Sequence, residues 1–301
     1  GRFRDHLIAD KLDRISVSFL VEDLTRQRGG SGANIAYNMA LLGERPILMG
    51  TAGMDFEDYR RWLNDHGVDT SAVRDIPGVF TASFFVNTDV ENNQIGSFFT
   101  GAMASSKGYK LIEAVPSLPD LVMVSPNDPT AMSELADECF QLKVPFMFDP
   151  SQQVIWLDAE FLLHGTDRCS LLICNEYEWA MIAKKTGLTR EALLNAGKKL
   201  IVTHGSEGSH IYVEGEHYHV PVFPVEQIVD PTGVGDAFRA GLLKGIASGF
   251  GWELCGQLGS LAAAYVLECN GPQSHDYTLA DFVKRFRTVF DDQGQLDVWQ
   301  A

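Results

Sequence analysis

From about residue 120 the chain alternates short, continuous apolar runs with stretches of helical period. Residues 121–124, 145–148, 171–174 and 200–203 are the apolar runs, while 128–141 and the stretch from Asn175 to about Lys185 carry the helical pattern. Apolar runs without alternation suit strands buried on both faces. Their regular exchange with helices predicts βαβ units and right-handed crossovers. Upstream, residues 33–42 place Ile35, Met39 and Leu42 on one helical face with Gly43 as the stop, and 55–66 repeat the pattern ahead of Gly67. Residues 46–50 read as a strand between them. Two segments break the rhythm, because 14–28 and 79–100 read as strands with no helix between. Within the second, 82–86 and 94–99 flank a turn at 89–93, and a further hairpin around Gly215 joins 210–213 to 217–220.

Length and charge narrow the classes. The 301 residues show no Pro/Ser-rich linker, low-complexity tract or repeat, which favours one large α/β domain with an appendage. With 24 basic against 40 acidic residues the net charge is −16, a field that disfavours nucleic acid but leaves room for a small anion held by oriented N–H groups. The five cysteines, at 139, 169, 174, 255 and 269, form no C-x-x-C pair and fit reduced thiols of a cytoplasmic protein. No signal peptide or apolar span of membrane length is read, so no membrane is expected.

The densest chemistry lies at Asp230-Pro231-Thr232-Gly233-Val234-Gly235-Asp236-Ala237-Phe238, which opens a helix with Phe238, Leu242 and Ile246 on one face. Glycines ahead of a helix let the chain turn sharply, and first-turn N–H groups with the helix dipole stabilise an anion. A carboxylate on the same turn can take a proton from an attacking hydroxyl, the combination that phosphoryl transfer needs. An ordinary glycine-rich turn with an acidic first-turn residue has the same pattern. A second glycine turn, Gly29-Gly30-Ser31-Gly32-Ala33-Asn34, also precedes a helix, and its Asn34 can donate to and accept from sugar hydroxyls.

These two segments, with Gly50-Thr51-Ala52-Gly53-Met54-Asp55 between them, resemble the two signatures of the ribokinase (PfkB) carbohydrate-kinase family, in that family's order. The resemblance runs from about residue 14 onward. It implies a ribokinase-like three-layer α/β fold with a mostly parallel central sheet, residues 29–78 and 101–301 forming the main domain and 14–28 with 79–100 a β-sheet lid. It further implies that Asp236 is the base, that Gly233, Val234 and Gly235 form an anion hole, and that Asn175 and Glu178 organise phosphate and Mg²⁺ through water. Thr203, Gly205 and Gly208 fall in the nucleotide segment, and Gly29, Gly30, Asn34, Phe19 and Phe99 are the candidates for substrate. For the aromatics, lid core or dimer packing is the competing reading.

ATP and Mg²⁺ are the implied cofactors, and the resemblance admits a monovalent cation such as K⁺ near Asp230 and the 270–274 loop, and a homodimer through the lid. The chain departs from the family at Val234, where a small residue is usual, and at its start, which falls after the family's first strand and the substrate-binding Asp it carries. The expectation there is a trimmed sequence. Within the family the pattern is most similar to bacterial adenosine and nucleoside kinases, with ribose or fructose as alternative acceptors. A non-catalytic nucleoside- or sugar-binding relative is the alternative class, opposed by the presence of Asp236, Gly233, Gly235, Asn175 and Glu178.

Overall fold

The apolar runs become a six-stranded sheet in a computed structural model that describes residues 2–3, 19–21, 23–91, 93–213 and 215–299. Its strands are β5 (Val122–Val124), β6 (Phe146–Phe148), β7 (Leu171–Asn175), β8 (Lys199–Thr203), β9 (Ser209–Val213) and β10 (Glu216–Val220), in spatial order β10-β9-β8-β7-β6-β5. Strands β5 to β8 are parallel, and β9 and β10 close one side as an antiparallel hairpin. The absence of alternation has a direct cause. In β7, Leu172 and Cys174 enter one core with Phe146, Phe148, Leu200 and Val202, while Leu171 and Ile173 enter another with Met147, Ile201 and Ile211.

Helices cover both faces. On the first lie α4 (Pro129–Leu142), α5 (Ala159–Arg168), α6 (Glu176–Thr186) and α7 (Arg190–Asn195), and on the second α1 (Ser31–Leu41), α8 (Val234–Ala247) and α9 (Trp252–Leu267). The pair α8–α9 is the most closely packed, because a Cβ on Gly241 would stand 2.4 Å from the Leu258 carbonyl oxygen. That contact holds α8 against the rest of the molecule. α2 (Glu57–Asp65), a short α3 (Leu111–Ala114) and the C-terminal α10 (Leu279–Phe286) complete the α-helices among the described residues. None of these is long and apolar enough to cross a membrane. All five cysteines are free thiols, four of them buried.

Two expectations are corrected, and one helix is present with shorter ends. The strand read at 46–50 is a single bridge, Ile47 to Asp69, since the next N–H along the partner, that of Ser71, bonds Asp69 Oδ1 at 2.9 Å instead of extending the ladder. Continuous pairing starts later, where β1 (Gly50–Ala52) runs parallel to β2 (Val73–Asp75). The helix read at 55–66 is α2 (Glu57–Asp65). Within 14–28, residues 19–21 and 23–28 form no strand, and 14–18 and 22 lie outside the described residues. Their side chains tie the segment to the body instead: Gln27 donates to Asn270 at 3.1 Å, and the Arg28 guanidinium lies 4.0 Å over the Trp62 ring. The hairpin read at 79–100 is present as β3 (Ser83–Thr88) and β4 (Gln94–Phe99), with Asn92 of its turn outside the described residues. Glu214, in the turn of the other hairpin, is likewise outside them.

Candidate active site

The first turn of α8 follows from its glycines. Gly233 sits at φ 83°, and a Cβ there would stand 2.4 Å from Cβ of Pro272, so backbone conformation and space both require glycine. No side chain caps this helix, which leaves first-turn N–H groups available to an anion, although the Val234 N–H makes a 3.3 Å bond to the Pro231 carbonyl. Gly235 is exposed, and a Cβ on it would meet Arg239 Nη1 at 3.0 Å.

Asp236 lies on the same turn. Burial pushes its carboxyl up to about 6, against the Asn34 hydrogen bond and the Arg239 charge, which hold it down. Asn34 Nδ2 donates to Asp236 Oδ2 at 2.8 Å, and Asn34 itself is buried in the first turn of α1. The two glycine motifs therefore meet across about two hundred residues, as their joint reading requires. Gly30, at φ 98°, starts α1, and the Gly29 carbonyl accepts the Tyr59 hydroxyl at 3.0 Å.

Beneath this turn Arg239 and Asp149 form a buried ion pair, with Nη2 donating to Oδ1 at 2.7 Å and Nε 2.6 Å from Oδ2. Burial alone would lower the Arg239 pKa, but the Asp149 carboxylate outweighs it and keeps the guanidinium charged. Arg239 Nη1 also donates to the Gly235 carbonyl at 2.9 Å, so the pair fixes the glycine turn to the end of β6. In the sequence Asp149, at a strand end before Pro150, reads equally as a functional residue and as a turn residue. Arg239 drew no attention there, although a lone charge within Ala237-Phe238-Arg239-Ala240-Gly241 was a signal of a buried partner.

Asn175 and Thr203 are register partners at the carboxyl ends of β7 and β8, the edge of an open α/β sheet where ligands bind. Asn175 and Glu178 close a capping box: Asn175 Oδ1 accepts from the Glu178 N–H and Glu178 Oε2 from the Asn175 N–H, both at 2.8 Å. Glu178 is buried, not a solvated face, and burial raises its pKa. After β8, Gly205 is at φ 53° and Gly208 at φ 92°, and a Cβ on Gly208 would lie 2.1 Å from the Val220 carbonyl oxygen. Gly208 is thus required by the approach of β10. Among the described residues no group of three or more His, Cys, Asp or Glu could hold a metal ion.

Phe99 stands 45% exposed on β4, and Phe19 packs edge-on against Phe3 at 4.9 Å. The hairpin is tied at its root, where Asp55 Oδ1 accepts from the Thr81 N–H at 2.8 Å and its hydroxyl at 2.7 Å. Gln273, which donates to both Asn34 and Tyr59, is not singled out by the sequence, and neither is Tyr59. No spacing rule joins residues so far apart.

A family model described as pfkB family carbohydrate kinase matches residues 5–278. The chain belongs to that family. It is a kinase that transfers a phosphoryl group from ATP to a hydroxyl, and its architecture is the ribokinase fold. A Burkholderia thailandensis nucleoside kinase, solved in complex with inosine, is 35% identical with a TM-score of 0.85 over 96% of this chain and 92% of that one. The Methanocaldococcus jannaschii nucleoside kinase structure superposes with a TM-score of 0.84 at 28% identity, covering 91% of each chain. A Methanothermobacter thermautotrophicus nucleoside kinase is 29% identical over 286 residues, 94% of this chain and 92% of its own.

Proposed function

We propose that the kinase phosphorylates the ribose 5′-hydroxyl of a purine nucleoside, adenosine or inosine, with Asp236 as the base. One observation carries the assignment: a carboxylate with a raised pKa shares a turn with a helix N-terminus that no side chain caps. The names of the similar proteins, nucleoside kinases, support the acceptor class.

In this reading Asp236 takes the proton of the acceptor hydroxyl on Oδ1, since Oδ2 already accepts from Asn34. The hydroxyl oxygen bonds to the γ-phosphorus as the bond from that phosphorus to the β–γ bridging oxygen breaks, and ADP leaves. The N–H groups around Gly233, Val234 and Gly235 stabilise the charge on the transferring group. Thr203, Gly205 and Gly208 shape the nucleotide loop at the sheet edge, with Asn175 beside them.

Mg²⁺, when bound, neutralises phosphate charge. The donor set fits a hydrated ion carried mostly by the nucleotide, with the Glu178 oxygen left over from its capping box reaching it through water. A K⁺ fits the oxygens gathered after α9, where the Ser274 hydroxyl lies 2.5 Å from the Asn270 carbonyl and 3.2 Å from that of Gly271, near Asp230.

The β3–β4 ribbon acts as the lid. It exposes Phe85, Ile95 and Phe99 on one face and Phe84, Val86 and Phe98 on the other. One apolar face suits a nucleoside base, with Phe99 and with Phe19 from the segment before Gly29, and the other suits the lid of a second copy.

The test is ADP release with ATP and Mg²⁺ against adenosine, inosine, cytidine, ribose and fructose. Fastest release with a purine nucleoside is expected. Release with ribose or fructose alone would overturn the acceptor.

A further inference from the structure

The hydrogen bonds behind Asp236 run in a fixed direction. The Gly29 carbonyl can only accept, and it takes the Tyr59 hydroxyl proton at 3.0 Å. Tyr59 oxygen is left as an acceptor and receives Gln273 Nε2 at 2.5 Å. The second hydrogen of that same amide nitrogen goes to Asn34 Oδ1 at 2.9 Å. Asn34 must then present Nδ2 to Asp236 Oδ2, 2.8 Å away. A turned-over Asn34 amide has nearly the same shape, but it would set oxygen against the carboxylate and an N–H against Gln273.

Asn34 and Gln273 are buried, 5% and 6% exposed, and Gln273 Oε1 is buried without a hydrogen bond among the described residues. The loop carrying Gln273 is pinned on both sides. The Gly271 N–H donates to Asp230 Oδ2 at 3.0 Å, and the Tyr37 hydroxyl donates to the His275 carbonyl at 2.7 Å. His275 Nε2 lies 2.8 Å from Asn38 Oδ1, and Asn38 Nδ2 donates to the Asn34 carbonyl at 2.9 Å.

We propose that Gln273 is a positioning residue for phosphoryl transfer, fixing the Asn34 amide so that one oxygen of Asp236 is held by an N–H and the other faces the acceptor hydroxyl. This rests on Asp236 being the base. Gln273 touches neither Asp236 nor the reacting atoms, and acts through Asn34.

The experiment compares Gln273→Met, Asn34→Ala, their double variant and Asp236→Asn, with ATP, Mg²⁺ and inosine, across pH 5–9. Gln273→Met is expected to lower kcat roughly 10- to 100-fold, as small misplacements at a reacting centre do, with KM for ATP within about threefold. Loss of one oriented neutral hydrogen bond to the carboxylate moves the acid limb of kcat/KM up by about 0.5–1 unit. The double variant is no slower than Asn34→Ala, because both changes remove one linkage. Wild-type kcat and acid limb in Gln273→Met, with Asp236→Asn inactive, overturn the Gln273 role and leave the base intact. Additive losses in the double variant also overturn it. Near-normal turnover of Asp236→Asn overturns the base, and this role with it. Tyr59→Phe removes a single hydroxyl and carries the same test if Gln273→Met does not fold, with a smaller shift of the same sign expected and an unmoved limb contradicting the chain.

Discussion

Helices α6 and α8 both begin near the carboxyl edge of the sheet, and their first turns are finished in opposite ways. In α6, Asn175 and Glu178 satisfy each other, each accepting a backbone N–H of the other. In α8, Gly233 offers no side chain, and the acidic first-turn residue, Asp236, is turned to Asn34. A reciprocal cap satisfies a helix end without a ligand, whereas an uncapped glycine start leaves its donors to water or an anion. Charge near a helix start is thus not enough to mark a phosphate site. What distinguishes α8 is the combination of missing cap, enforced glycine and buried charge support from Arg239 and Asp149.

The sharpest way to break the comparison is to remove that support. Arg239→Met leaves Asp149 buried and unpaired, and is expected to cost about 3–5 kcal/mol of unfolding free energy in urea titration. The paired change Asp149→Leu with Arg239→Met should recover most of that stability while transfer remains impaired. A smaller effect is expected at the turn. Gly233→Ala forces a Cβ toward Pro272 and a left-handed φ on alanine, costing about 1–3 kcal/mol, measurable as a lower melting temperature together with weaker ATP binding. Gly235→Ala should cost less, since its Cβ meets a single atom, Arg239 Nη1 at 3.0 Å, and the backbone there is not left-handed, whereas the branched side chain of Gly235→Val should abolish turnover.

At α6, Glu178→Gln preserves the capping geometry and should change stability by less than about 0.5 kcal/mol, while Glu178→Ala loses it and costs about 1 kcal/mol. A raised Mg²⁺ requirement in Glu178→Gln would show that the carboxylate does more than cap. The smallest effect is on pH dependence. A base with its carboxyl at about 6 makes kcat/KM rise with pH through about 6 and then level. The sign for stability is opposite. The folded state holds this proton more tightly than the unfolded chain between 3.8 and about 6, so Asp236 subtracts stability as pH rises through that window. Asp236→Asn should therefore melt higher than the wild type above pH 6, an advantage that vanishes near pH 4.

The parallel strands were legible because residues buried on both faces cannot alternate, and Leu171 to Cys174 show it. The α8 turn was legible because positive φ and close approach leave only glycine. Asn175 and Glu178 were legible as a pair, but spacing alone does not separate a ligand site from a cap. Segment 14–28 misled, because its described residues are held by Gln27 and Arg28 side chains and form no ladder. Arg239–Asp149 and Asn34–Gln273 join elements far apart in the chain, and only the packing of α8 against β6, α1 and the loop after α9 brings them together.

The most direct measurement pairs turnover with nucleotide affinity in Asp236→Asn. If Asp236 is the base beside an intact phosphate site, inosine-dependent ADP release falls roughly 10²- to 10⁴-fold while the ATP dissociation constant stays within about threefold. Turnover within about tenfold of the wild type would contradict the base assignment and place the reacting hydroxyl elsewhere.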